Sequence, residues 1–568
     1  MTVTSPIAGG QPAAATDPIL MTIIARGLQS AAEEMALNLI RSAFSTVVRE
    51  ARDCSTALLD AQGRLIAQAE LQPMQTAGLS MSFAACAEQL DLSQVTPGHA
   101  LILNDPYSGG QHLNDIIIFT PIFHGPTLLG WAGSTAHHLD IGGGAAGVNT
   151  TAEELIQEGL IIPPLLMEVE RDWYGGSIER LIFANIRTPD IGRGDVDAQF
   201  ASNHVGRERV LQLVERFGVE TVLAGMTEVL DYSERRMRAA IAAIPDGSWT
   251  GEAFMDTDGR GSGPVRVAVK VTVAGDEVAM DFTGTDPQMR AMFNAPVASS
   301  FASAVSGLRT ILSDRSLPAN DGCNRPIRLH FPKGCLLNPH PGAPVRARGL
   351  AGLRALDAVH MALSKVVPER CPAQGANATT GFFLCQMRPD GKMAIHLDVL
   401  GGGWGAGNGY DAVHVTDNVM SSCQLTPVES IEQVYDHVRL EEFGLWQDSA
   451  GAGTWRGGLG LFRQYRILTD GVVLSLYTDR FVVPPTGAQG GTAGKLSTLV
   501  VLRGGIEIPL TGHDTFAMQK EDVVIVRLSG GGGWGDPLAR DRAAVAADLE
   551  DGLISAEFAR DVYGLIPA

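Results

Sequence analysis

His112 and Asp115 stand three residues apart in the run "LNDPYSGGQHLNDIIIF", just after a glycine turn, and His137, His138 and Asp140 follow in "STAHHLDIGG". Imidazole nitrogen and carboxylate oxygen together suit divalent zinc, manganese or iron, and three protein ligands with open positions make a catalytic arrangement, because water or substrate must also bind. A helical turn or tight loop over 112–115 lets both side chains point the same way. Neighbouring side chains on a strand face opposite sides, so only one of His137 and His138 can share a face with His112. The same residues also admit a plainer reading, with His112 bonding a turn and "HHLD" ending a surface strand. Upstream, "REARDCS" adds Glu50 and Asp53, which are either further ligands or solvated charges at a helix end.

The elements around these residues are legible as periodicities. From Pro18, "ILMTIIARGLQSAAEEMALNLIRSAFSTVV" spaces apolar residues by three and four, which predicts one long amphipathic helix. "STALLD" and "RLIAQ" predict a hairpin across "AQG", and "LSMSFAACAEQLDL" returns to helical spacing. "ALILND", "DIIIF" and "TLLGWAGSTAHHLDIGG" read as strands with the histidine loops at their ends. Residues 195–243 predict two helices broken at Gly218, and "PDGSW" is the best first boundary. Strands recur between Trp249 and Thr285, two helices follow near "ASSFASAVSGLRTIL" and "GLRALDAVHMALSKVV", and strands and turns fill about 444–528 before a last helix in "LARDRAAVAADLEDG".

The expected class is α+β and multidomain, with an N-terminal mixed part bearing the metal residues and a β-rich C-terminal half. At 568 residues the chain exceeds a single core. The expected divisions are a flexible leader at 1–17, an α+β domain at 18–245, a central α+β region at 246–440 and a β-rich domain at 441–568.

Composition narrows the function. A net charge of -20 disfavours nucleic acid and anionic membranes as partners, and no apolar run is long enough to span a bilayer. The N-terminus lacks the basic start and apolar core of a secretory signal, which implies the cytoplasm. Seven scattered cysteines without a C-x-x-C pair read as buried or inert thiols. "GGTAGKLS" is not a phosphate loop, because Gln489 and Leu496 occupy the required glycine and hydroxyl positions. "GGGGWG" at 530–535 fits a dinucleotide pattern, but too little chain follows to complete that fold. "GGGWGAGNGYD" at 401–411 reads either as an oxyanion-binding nest or as a turn packing Trp404 against a sheet. Asn185 and Arg187 in "NIRTPDIGRGD" are candidates to hold a substrate carboxylate or phosphate, the alternative being an ion pair of Arg187 with Asp195.

The blocks "NDPYSGGQHLNDIIIFTPIF", "AHHLDIGG", "IQEGLIIPP", "NIRTPDIGRGDVDAQ", "DFTGTD", "FNAP", "LPANDGCNRPI", "GGGWGA", "SAGAGTWRGGLG" and "SGGGGWGDPL" together resemble the hydantoinase B/oxoprolinase family, from about residue 20 to the end. The resemblance implies the B-type subunit of an ATP-dependent hydrolase of cyclic amides such as hydantoins, lactams or 5-oxoproline. A hydantoinase A-type partner would bind ATP and phosphorylate the substrate, and a higher hetero-oligomer is the expected assembly. It further implies a divalent metal, zinc or manganese first and iron or cobalt as alternatives, held by His112, Asp115 and His137 with Asp53 as fourth ligand. His138 and Asp140 then orient those ligands. Two alternatives stay open: a component of an ATP-dependent ketone carboxylase of the acetone or acetophenone type, and a non-catalytic assembly component. Carboxylase chains of this family are longer, so length favours the hydrolase.

Overall fold

A computed structural model describes residues 2–3, 17–312, 314 and 316–565. Residues 1 and 4–16 of the expected leader lie outside the described residues, while Thr2–Val3 pairs with Leu329 and His330 and Asp17 caps the first helix.

The site rests on a six-stranded antiparallel sheet. Its order is Leu65–Gln68, Cys54–Asp60, Thr127–His137, Asp115–His124, His99–Leu103 and Leu165–Glu168. Alternation along the strands sends Leu58 and Ala132 to one face, where Pro18–Ser42, Pro189–Phe217 and Val219–Ile241 pack, and Leu59 and Trp131 to the other, beneath Pro73–Gln89. Burial on both faces explains why these strands read as continuous apolar runs.

The long helix expected from Pro18 stops at Ser42. Asp195 accepts hydrogen bonds from the backbone N–H groups of Phe44 (2.8 Å) and Ser45 (3.0 Å), turning the chain, and Ser45 then caps a short helix at Thr46–Arg49. The next pair of helices does break at Gly218, whose φ of 85° suits glycine.

A second sheet runs Thr2–Val3, Ile327–His330, Glu277–Asp281, Val265–Ala274 and Gly247–Met255. The helices Val297–Arg309 and Arg348–Leu363 share its core. Two further sheets follow, one of Met393–Leu400, Thr380–Met387, Val472–Tyr477 and Thr515–Ala517, the other of five antiparallel strands between Val438 and Arg527, with a common apolar core between them. The strands Thr380–Met387 and Met393–Leu400 were not expected. The α+β class therefore holds, with several sheets.

The glycine blocks at 401–407, 451–460, 487–494 and 530–535 stack on one another. Gly403 N–H donates to Ser529 O, Gly531 N–H to Gly458 O, Gly451 N–H to Gly531 O and Gly533 N–H to Thr492 O. A Cβ added to Gly531 would lie 1.8 Å from Trp404 O, and one added to Gly403 would lie 1.9 Å from Gly458 O. These amides serve backbone packing, so 401–411 is a structural element and not an anion nest.

Candidate metal centre

Strand register assembles the cluster. Asp115 and His137 are directly opposed partners, and Cys54 pairs with Ala136, which sets Asp53 beside His137. Arg52 adopts a left-handed conformation (φ 58°) immediately before Asp53, turning the chain from the short helix into the strand. His112 reaches the same place through a tight turn closed by Asp115 N–H to His112 O at 3.0 Å. Asn114 pins that turn, donating to His138 O at 2.7 Å while its own carbonyl accepts His138 N–H at 2.8 Å.

The distances are short. His112 Nδ1 lies 3.0 Å from Asp115 Oδ2, and His137 Nδ1 lies 3.4 Å from Asp53 Oδ2 and 3.8 Å from Asp115 Oδ1. The ligand atoms offered by His112, Asp115 and His137 all lie within 4.8 Å of one another, and all three residues are buried, so the cluster could hold a metal ion. Asp53 is partly exposed, its side chain at 16%.

Burial lowers the His112 imidazole to about 4 and the His137 imidazole well below its ordinary value, with the cationic form of each neighbour adding to the effect at His137. Both rings are therefore neutral near pH 7, the form in which imidazole binds metal. Burial works to raise Asp115, but His112 and Arg348 overcome it and keep the carboxyl ionised. Burial, reinforced by the charge of Asp115, raises Asp53. His137 Nε2 is buried without a hydrogen-bond partner, an orphaned donor-set atom that a metal would satisfy. The donor set thus fits a divalent cation.

Several residues that sequence reading missed complete the surroundings. Gln75 Nε2 bridges the two carboxylates, donating to Asp53 Oδ1 at 2.9 Å and Asp115 Oδ1 at 3.2 Å. Arg348, at the start of its helix, donates to Asp115 Oδ2 at 2.9 Å. The signals were faint: one glutamine beside a helix-starting proline, and two arginines in the apolar block "APVRARGL". A cavity of about 50 Å³, room for a few waters, opens from His112 and His137. Its far walls come from Phe383, Leu397, Val399, Asp417 and Tyr477.

Four expected residues lie elsewhere. His138 faces the opposite side of its strand, where Nε2 meets Gln199 Oε1 at 3.1 Å, because adjacent strand residues alternate. Asp140 does not orient the ligands: it pairs with Arg187, whose Nη1 donates to it at 3.0 Å and whose backbone N–H also bonds it. Arg187 further donates to Gly143 O at 2.7 Å, so it is a structural ion-pair residue with Asp140, not Asp195, as partner. Asn185 donates to Leu181 O within its own turn at 2.8 Å. Neither Asn185 nor Arg187 lines the cavity. All seven cysteines are free, and burial, then Asp53, raises the Cys54 thiol, which leaves it a poor nucleophile.

A six-stranded sheet that gathers two histidines and a carboxylate at its end, with further sheets enclosing a cavity, defines a multi-sheet α+β protein with a candidate metal site. The chain belongs to the hydantoinase B/oxoprolinase family, whose model matches residues 17–537. The B-type subunit of a D-/L-hydantoinase from a Pseudomonas species, itself named from its sequence, is 30% identical over 569 residues, covering 97% of this chain and 95% of that one. The crystal structure of the ATP-dependent caprolactamase from Pseudomonas jessenii superposes with a TM-score of 0.90 at 27% identity, covering 97% of both chains. Nucleotide-free acetone carboxylase shares the fold with a TM-score of 0.86 at 20% identity, over 96% of this chain and 79% of that one. Among the described residues no helix is long and apolar enough to cross a membrane.

Proposed function

We propose that this chain is the B-type subunit of an ATP-dependent cyclic-amide hydrolase, opening a hydantoin, lactam or 5-oxoproline-like ring in the cytoplasm. The observation that carries this reading is the buried His112, Asp115 and His137 cluster opening into a small, partly apolar cavity, in a chain of this family. Relatives named as components of a hydantoinase and of a caprolactamase support a cyclic-amide substrate and a partner chain.

An amide is a poor electrophile. Phosphorylation of its oxygen by an A-type ATPase partner makes the carbon attackable and the oxygen a leaving group. His112, Asp115 and His137, with Asp53 as fourth ligand, would hold zinc or manganese, with iron and cobalt as alternatives. Such an ion, when bound, lowers the pKa of a coordinated water from 15.7 toward about 7. Gln75 keeps the two carboxylates side by side, and Arg348 holds Asp115 in orientation. The apolar walls at Phe383, Leu397 and Val399 receive the methylene side of a ring and limit bulk water.

Elemental analysis of the wild type and of the His112→Ala/His137→Ala double variant, each checked by circular dichroism, tests the metal. Near-stoichiometric metal in the wild type, absent from a folded variant, is expected. Ring opening should then require the metal, ATP and an A-type partner together. No metal after incubation with zinc or manganese would overturn the assignment and favour an assembly role. ATP turnover dependent on bicarbonate and a ketone would favour the carboxylase reading.

A further inference from the structure

Asp417 lies in the same cavity as His112 and His137, and the cluster does not use it. It is 4% exposed, and neither carboxylate oxygen has a hydrogen-bond partner. Its loop is fixed: Asn418 donates to Thr379 Oγ1 at 2.7 Å and accepts Met420 N–H at 2.8 Å, and Thr416 N–H bonds Gly402 O at 2.9 Å. Burial pushes the Asp417 carboxyl up to about 6, against the lowering influence of Ser421, Asn418 and Thr379.

A buried carboxylate without a donor is costly, and natural structures retain one where a ligand supplies the missing hydrogen bond. The remaining walls limit what that ligand is. Phe383, Leu397, Val399 and Met74 offer apolar contact, and the cavity admits only a small molecule. A cyclic amide has this composition: a methylene edge, and a polar edge in which an N–H adjoins the carbonyl carbon.

We infer that Asp417 is the substrate-recognition residue that accepts the ring N–H, selecting cyclic amides unsubstituted at that nitrogen and turning their carbonyl carbon toward His112 and His137. The inference rests on the cyclic-amide reading above and deepens it. No bond is made or broken by Asp417 in this role.

Ligand-observed NMR titration of the full-length chain tests it, with 2-pyrrolidinone and caprolactam each compared with its N-methyl derivative. 5-Methyl-2-pyrrolidinone controls for bulk, since it adds a methyl and keeps the N–H. The wild type should bind the N–H lactams about tenfold or more tighter than the N-methyl forms, the factor expected for a hydrogen bond to a charged acceptor. Asp417→Leu, similar in size and without an acceptor, should lose that preference, while Asp417→Asn should keep part of it. Equal binding of N–H and N-methyl lactams by the wild type, no binding of either, or an intact preference in Asp417→Leu would overturn the inference. Ring opening with the A-type partner but without N–H preference overturns it and leaves the proposed function standing. An N–H preference without ring opening does the reverse.

Discussion

At the residue scale, Gln75 shows how much of the site depends on groups that are not ligands. Two carboxylates, Asp53 and Asp115, stand close enough for each to disfavour ionisation of the other, and one amide donates to both. Without that donor the carboxylates lose their common tether and turn away. Groups that orient metal ligands typically contribute tenfold to a hundredfold in affinity. Gln75→Leu should therefore bind zinc roughly ten to a hundred times more weakly, measured by chelator competition, with an unchanged far-ultraviolet spectrum. His112, Asp115, His137 and Asp53 were nameable from residue type and spacing alone. His138, Asp140, Asn185 and Arg187 carry the same chemistry in sequence, but strand alternation and the Arg187–Asp140 ion pair direct them elsewhere.

At the element scale, the helix Arg348–Leu363 does two jobs. Its first residue reaches Asp115, and its last turn buries His360 against Thr310, with Thr310 Oγ1 2.7 Å from His360 Nε2. Burial lowers the His360 imidazole from 6.5 to about 4. As pH falls, the unfolded chain takes up this proton first. The contribution is therefore complete above pH 6.5 and is lost as pH drops from there toward 4. The stability advantage of the wild type over His360→Gln should be flat above pH 7 and shrink by about 3 kcal/mol by pH 4, read from denaturant midpoints. Periodicity announced this helix, since its spacing is helical. It did not announce the strands Thr380–Met387 and Met393–Leu400, although these build the cavity wall. Nor did it show the break after Ser42, because apolar spacing continues through "AFSTVV" and only the distant Asp195 turns the backbone there.

At the scale of the whole molecule, the largest apolar core joins parts far apart in sequence. Leu39 and Val47 from the N-terminal helices, Val267 from the second sheet, Leu350 from the helix after it, and Phe383 and Tyr477 from the third sheet belong to one cluster. A shared core of this kind makes local opening expensive, so these layers should unfold as one cooperative unit. Hydrogen exchange followed by mass spectrometry in denaturant should give the same opening free energy for peptides from 115–137, 265–274 and 380–400. Distinct values would mean that the layers unfold independently.

Residue types, turn signals and periodicity by themselves determined the class of fold, the motif blocks that carry the family, and the histidine and carboxylate residues able to bind a metal, because these are local properties of the chain. Tertiary structure alone decided which of those residues meet. The register of Asp115 against His137 selected one histidine of an adjacent pair, Gln75 and Arg348 arrived from separate helices, and strands more than 200 residues downstream closed the cavity and brought Asp417 to it. Such contacts depend on how sheets and helices pack, and packing between distant segments leaves no periodic trace in either segment alone.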